Sequence, residues 1–321
     1  MASSAMLQNI AVASSAATSV ARFRSIAAAP SSQRVALGQS HLGSAKVFFT
    51  PARIGSRSSS HRAATQVVAL KDPSSQDNLK RAVAKKAIEL VKSGMVVGLG
   101  TGSTSSMAIE ELGNLIQANK LKDIVGVATS YQSKVLARQF GVKTVDLNDV
   151  NHIDIAFDGA DEVDSGMSLI KGGGAAHTME KVVDSIAKEC VILIDETKVV
   201  KTLGLSFPVP VEVLPFALAP VLRALAALGG QPEIRTALRK DGPVITDLGN
   251  MVVDVRFPEG VKDPAEMETK INMIPGVIDN GLFINVAHKV LVGTKDGDET
   301  SVVEFAEFVS SMKSSTEGVS A

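Results

Sequence analysis

Residues 96–104 read Val-Val-Gly-Leu-Gly-Thr-Gly-Ser-Thr, and the reading of the fold turns on them. A short apolar run that breaks into alternating glycines and then into hydroxyl residues is the pattern of a buried strand, a tight loop and a helix start. Glycine permits the turn and a close ligand approach, while the free amides of a helix start can surround an oxyanion. Because Ser103 and Thr104 add hydroxyl donors, a small phosphate ester at Gly102, Ser103 and Thr104 is one reading; a structural strand-to-helix turn is another. A dinucleotide fits less well. Its GxGxxG fingerprint, counted from Gly98 and Gly100, would need glycine at position 103, and the next expected strand ends in Thr129-Ser130 instead of an acid. A nucleotide P-loop fails too, since no lysine follows Gly102.

Working outward, short Val/Ile/Leu runs alternate with amphipathic stretches. Strands are expected at 96–99, 124–128, 142–145, 153–157 and 191–194, and helices at 79–91, 103–116, 131–140 and 177–188. Continuous apolar runs favour parallel strands covered on both faces, so the expected fold class is α/β, a mostly parallel Rossmann-like sheet with helices on both sides. The texture changes after Pro208. A strand at 209–214, a helix from about Pro220 capped by Gly229 and Gly230, hairpin segments and a helix at 264–274 point to a smaller α+β domain over 208–283. The chain then returns, giving an α/β domain of 71–207 and 284–312 with a last helix at 302–312 and a flexible tail at 313–321.

Composition narrows the function classes. The 321 residues carry a net charge of -1, yet residues 1–70 hold six Arg and one Lys with no Asp or Glu, leaving 26 basic against 34 acidic side chains in 71–321. That acidic remainder, about -8, is a poor field for nucleic acid. The Ser/Ala-rich, Arg-punctuated, acid-free start reads as a transit peptide and linker, with chloroplast ahead of mitochondrion. One Cys and five His leave no disulfide framework and no metal cluster. No stretch of 18 uncharged apolar residues is present to cross a membrane.

Three further segments carry chemistry. Phe157-Asp158-Gly159-Ala160-Asp161-Glu162 packs acids at the end of an apolar strand, which is unfavourable unless they face solvent, lysines or a ligand. Leu169-Ile170-Lys171-Gly172-Gly173-Gly174 follows, leading to a helix with Glu180 in its first turn. Lys171 can stabilise developing oxygen charge and Glu180 can move a proton, although a glycine hinge beside a surface lysine would read the same way. Asp195-Glu196-Thr197-Lys198 sets another cation at the same sheet edge. Cys190 reads as core, His177 as a capping or solvent-facing residue, Glu266 and Lys270 as a surface pair, and Lys80, Arg81, Lys85 and Lys86 as a basic helix face.

In order, GLGTGST, FDGADEVD, LIKGGGAA and DETK resemble the A-type ribose-5-phosphate isomerases, above all their plant chloroplast form, over about residues 75–312. The resemblance implies a phosphosugar isomerase without cofactor or metal, acting on a phosphorylated pentose in the chloroplast stroma as a homodimer or dimer of dimers. It implies that Gly102, Ser103 and Thr104 hold the phosphate, that Asp158 and Asp161 contact the sugar, that Lys171 stabilises oxygen charge, that Glu180 is the base and that Lys198 binds substrate. A basic residue of the first helix has a role as well, undecided among the four. The competing readings are another phosphosugar isomerase or amino-sugar phosphate deaminase, and a non-catalytic sensor, which would be expected to carry a DNA-binding output module.

Overall fold

Val191 and Leu193 point into one apolar layer, and Ile192 and Ile194 into another. A strand buried on both faces needs a sheet covered on both sides. The computed structural model, which describes residues 73–297 and 299–317, supplies one. In chain order come α1 (Pro73–Ile88), β1 (Val96–Leu99), α2 (Ser103–Gln117), β2 (Val125–Ala128), α3 (Tyr131–Gln139), β3 (Thr144–Val145), β4 (Ile155–Asp158), β5 (Glu162–Val163), β6 (Leu169–Ile170), α4 (His177–Ile186) and β7 (Cys190–Asp195). Then follow β8 (Val209–Val213), α5 (Leu218–Ala227), β9 (Gln231–Ile234), β10 (Met251–Arg256), α6 (Pro264–Asn272), β11 (Val277–Asn280), β12 (Leu282–Phe283), β13 (Lys289–Asp296), β14 (Glu299–Glu304) and α7 (Phe305–Glu317).

The central sheet has seven strands in the order β14-β13-β7-β4-β1-β2-β3, all parallel except the β13–β14 pair. Val83, Ala87, Ile109, Leu112 and Ala137 bring α1, α2 and α3 onto one face against Val97, Ile155 and Val191. On the other face Val183 of α4 meets Val127 and Ala156, and Phe305 of α7 meets Ile192 and Val290. Each such side chain taken from water contributes about 1.5–3 kcal/mol before conformational entropy is counted. A four-stranded antiparallel sheet, β11-β8-β10-β9, builds its own core with Val221 and Leu225 of α5 and Ile271 of α6. The fold class is the expected mixed α/β, with a mostly parallel central sheet.

Four elements depart from the sequence reading. Residues 299–304, partly assigned to the last helix, form β14 antiparallel to β13. Their Glu, Thr and Ser side chains are exposed, which suits an edge strand and hides it from a search for apolar runs. The last helix accordingly starts at Phe305, and it continues to Glu317, into the 313–321 stretch expected as tail. β5 and β6, each two residues long, join β12 in a small antiparallel sheet that the sequence did not disclose. The transit-peptide segment 1–70 lies outside the described residues. Among the described residues no helix is long and apolar enough to cross a membrane.

Candidate active site

The glycine loop lies between the end of β1 and the start of α2, where the parallel strands of an α/β sheet open onto a crevice. At Gly100 nothing larger fits, because a Cβ would stand 2.4 Å from the Asp158 carboxyl carbon. Gly102 caps α2 with φ at 99°, a left-handed conformation that suits glycine, and no side chain caps the helix, so its first amides are available to an anion. Thr101 holds the loop by sharing hydrogen bonds with the hydroxyls of Thr129 (2.8 Å) and Ser130 (2.7 Å).

A cavity of about 180 Å³ opens here, walled by residues 101–104, 159–161 and 171–174 together with Glu180, Asp195 and Lys198. Gln76 and Lys80 of α1 close one side. At the base, the Lys171 ammonium is 2% exposed. It lies 3.0 Å from Asp158 Oδ2 and 3.4 Å from Glu180 Oε2, donates to Gly159 O at 2.7 Å, and stands 5.3 Å from the Phe283 ring centroid. Asp158 Oδ1 accepts from the amides of Thr101 (3.1 Å) and Gly159 (2.7 Å) and from the Ser105 hydroxyl (3.3 Å).

These positions set the proton affinities. Burial works against the Lys171 charge, but the carboxyls around it, Asp158 first and Glu180 second, outweigh that and hold the ammonium well above the ordinary lysine range. Burial, followed by the Asp158 charge, pushes Glu180 up to about 8, against the pull of Lys171. A carboxyl in that range can take and return a proton near neutrality. Asp195 is also buried, yet hydrogen bonds from Thr197 and Gln76 and the Lys198 charge bring it below the usual carboxylate range.

The surrounding elements fix the geometry. Asp161 accepts from the Gly173 amide at 2.9 Å. From the end of β9, Arg235 donates to the carbonyls of Gly172 (2.9 Å) and Gly173 (3.1 Å) while its other nitrogens grip Asp254 at 2.8 and 2.5 Å. Helix α4, which carries Glu180, is tethered on two sides. Thr178 donates to buried Glu212, which also accepts from Thr246 and Asn250, and Lys181 bridges Asp279 (2.7 Å) and Glu268 (3.3 Å).

Gly102, Ser103, Thr104, Asp161, Lys171, Glu180 and Lys198 thus converge on one cavity, while Asp158 sits wholly buried behind Lys171. Of the four basic residues on the first helix, Lys80 is the one on the cavity wall, a distinction helical spacing alone could not draw. Glu162, part of the acid cluster, instead turns away to accept from the amides of Gly204, Ser206 and Phe207. His177 is a correction: it is fully buried rather than capping or solvent-facing, and burial followed by the Arg235 charge lowers it to about 3, so it stays neutral. Cys190 is core, and Glu266 pairs with Lys270 at 2.8 Å. Among the described residues no group of three or more His, Cys, Asp or Glu is arranged to hold a metal ion. Asp184, a fully buried acid of α4, gave no signal in the sequence reading.

A family model described as ribose 5-phosphate isomerase A (phosphoriboisomerase A) matches residues 125–297. Ribose-5-phosphate isomerase A of Thermosynechococcus vestitus is 59% identical over 215 residues, 67% of this chain and 91% of its own. That of Trichodesmium erythraeum is 53% identical over 224 residues, 70% and 94% respectively. Among solved structures, ribose 5-phosphate isomerase A from Methanocaldococcus jannaschii superposes with a TM-score of 0.67 at 49% identity, covering 71% of this chain and 99% of that one. A D-ribose-5-phosphate isomerase in complex with phospho-erythronic acid gives 0.68 at 43% identity, covering 71% and 98%.

Proposed function

This chain belongs to the ribose-5-phosphate isomerase A family and isomerises D-ribose 5-phosphate to D-ribulose 5-phosphate, and we propose that Glu180 moves the proton while Lys171 holds the oxygen charge. The observation that carries these roles is the buried Lys171–Asp158–Glu180 cluster at the base of a cavity whose rim offers a helix start and two cations.

The phosphate sits at the amides and hydroxyls of Gly102, Ser103 and Thr104, with Lys80 and Lys198 adding charge. Asp161, held by the Gly173 amide, faces the sugar hydroxyls. Once the ring opens, Glu180 takes the C2 proton, and electrons move through C1–C2 onto the carbonyl oxygen, giving an enediolate. Lys171 stabilises that oxygen, and Asp158 acts through Lys171 by fixing it from behind. Passage of the 2-hydroxyl proton to O1 and return of the proton held by Glu180 to C1 give the ketose. Phospho-erythronic acid, bound in the related structure, is a phosphorylated four-carbon acid whose planar carboxylate has the charge and shape of such an enediolate, which supports the same path here. The positive charge that faces the reacting oxygen comes from Lys171, so the route needs no cofactor and no metal.

Glu180→Gln tests the assignment. Size and hydrogen bonding survive, so substrate binding should hold while turnover falls about 10²–10⁴-fold and C2-deuterium exchange stops. Near-normal turnover and exchange in the folded variant would remove Glu180 from the chemistry.

Residues 1–70 act as a transit peptide that delivers a plant-type enzyme to the chloroplast stroma. The acid-free Ser/Ala/Arg composition and the cyanobacterial relatives support this. N-terminal sequencing after import into isolated chloroplasts checks it; an intact Met1 on internalised protein contradicts it. The chain assembles as a homodimer or dimer of dimers. Exposed apolar side chains such as Tyr131 (71%), Val182 (45%) and Leu248 (50%) support self-association, and sedimentation of a monomer at micromolar concentration would contradict it.

A further inference from the structure

Asp184 stands one helical turn beyond Glu180 on α4, on the face turned to the site, and is 1% exposed. Neither of its carboxyl oxygens has a hydrogen-bond donor, and Asp158 Oδ2 likewise meets none in bonding geometry, only the ion-pair contact with Lys171. Burial, followed by the charge of the neighbouring Asp158 carboxylate, pushes Asp184 well above the ordinary carboxylate range. Two ionised carboxylates cannot face each other in a buried site, and the one bridge that satisfies both is a shared proton. Asp158 has Thr101, Gly159, Ser105 and Lys171 to stabilise its charge, whereas Asp184 has no donor, so the proton belongs on Asp184.

We propose that Asp184 is a buried carboxylic acid that donates its proton to Asp158 Oδ2, a positioning residue that locks Asp158 against Lys171 during isomerisation. The functional half rests on the roles given above to Asp158, Lys171 and Glu180. The groups facing Asp184 are Asp158 from β4, Lys171 following β6, Glu180 on its own helix and the Cys190 thiol of β7, itself pushed up by burial. With the proton in place, Asp184 adds no charge beside Glu180.

Infrared spectroscopy of Glu180→Gln at neutral pH reads the proton directly and independently of catalysis. A protonated-carboxyl stretch should be present there and absent from Glu180→Gln/Asp184→Asn; no such band, or one that survives the second change, overturns the proposal. Kinetics of the single variants read its use. Asp184→Asn keeps a neutral donor, so the acid limb of kcat/KM should stay where it is, whereas Asp184→Leu leaves Asp158 Oδ2 with its Lys171 contact alone and should lower kcat about tenfold with KM little changed. A downward move of the acid limb by a unit in Asp184→Asn would mean that Asp184 is ionised. Equal kcat in Asp184→Leu and the wild type would mean that it positions nothing. Should Asp184→Leu fail to fold, the infrared and Asp184→Asn results still decide. Normal turnover in Glu180→Gln itself would instead discard the catalytic reading and leave the infrared result standing.

Discussion

Replacing Lys171 by Met keeps most of the side chain's length and removes its charge from between two carboxylates. At an effective dielectric constant of about 20, the 3.4 Å contact with Glu180 corresponds to about 5 kcal/mol of attraction. Reorganisation will return much of it, but one third retained lifts the Glu180 carboxyl by about one further pKa unit, from about 8 to about 9. At about pH 7.5 the ionised fraction then falls roughly tenfold. Loss of the group facing the developing oxyanion removes about 2.7–4 kcal/mol more from the transition state, or roughly 10²–10³-fold. Together kcat/KM should fall about 10³–10⁴-fold, and its acid limb should move to higher pH. Asp158 is left buried and unpaired, which destabilises the fold by about 3–5 kcal/mol, so circular dichroism must first show a native spectrum at the assay temperature. Steady-state kinetics across about pH 6–10 measure both effects. A folded Lys171→Met enzyme with kcat/KM within about tenfold of wild type, or with an unmoved acid limb, refutes the reasoning.

Three further outcomes follow from the same geometry. Because Glu180 binds its proton more tightly folded than unfolded, its stabilising contribution is complete below about pH 4.5 and is lost as pH rises through about 8; melting temperatures should therefore show Glu180→Gln gaining on wild type between about pH 5 and 9, and a constant difference would contradict the buried, raised carboxyl. Thr104→Ala removes a hydroxyl from the phosphate rim, so KM should rise about five- to tenfold and inhibition by inorganic phosphate should weaken with kcat nearly unchanged; an unaltered phosphate inhibition constant would take Thr104 out of the site. Protein lacking residues 1–70 should be active after exhaustive EDTA treatment, and activity restored only by a divalent ion would overturn the metal-free route.

How far the sequence could be read depended on whether a residue's neighbours in space were also its neighbours in the chain. The glycine loop was legible because strand, turn and helix start all lie within residues 96–104. Glu180 and Lys171 were legible through the run of glycines between them. By contrast, Asp158, Asp161 and Glu162 look alike as an acid cluster, yet one faces Lys171, one the Gly173 amide and one the 204–207 loop, choices made by partners far along the chain. Asp184 was invisible since an Asp at the end of an amphipathic helix reads as solvated; only the packing of α4 on the sheet shows it buried. β14 was missed because its edge position lets polar side chains occupy a strand.

Every residue of the four diagnostic motifs precedes position 199, yet several groups that brace them, or the helix α4 that follows them, come later: Glu212 on Thr178, Arg235 on the Gly172 and Gly173 carbonyls, Asp279 on Lys181, Phe283 beside Lys171. A ribosome that has just released residue 208 has made all the recognisable chemistry but not the groups that brace α4 and the glycine run from the other side. Fragments ending there would score as complete by signature and be inert in the test tube, and the nascent chain gains a working catalyst only as its last third emerges.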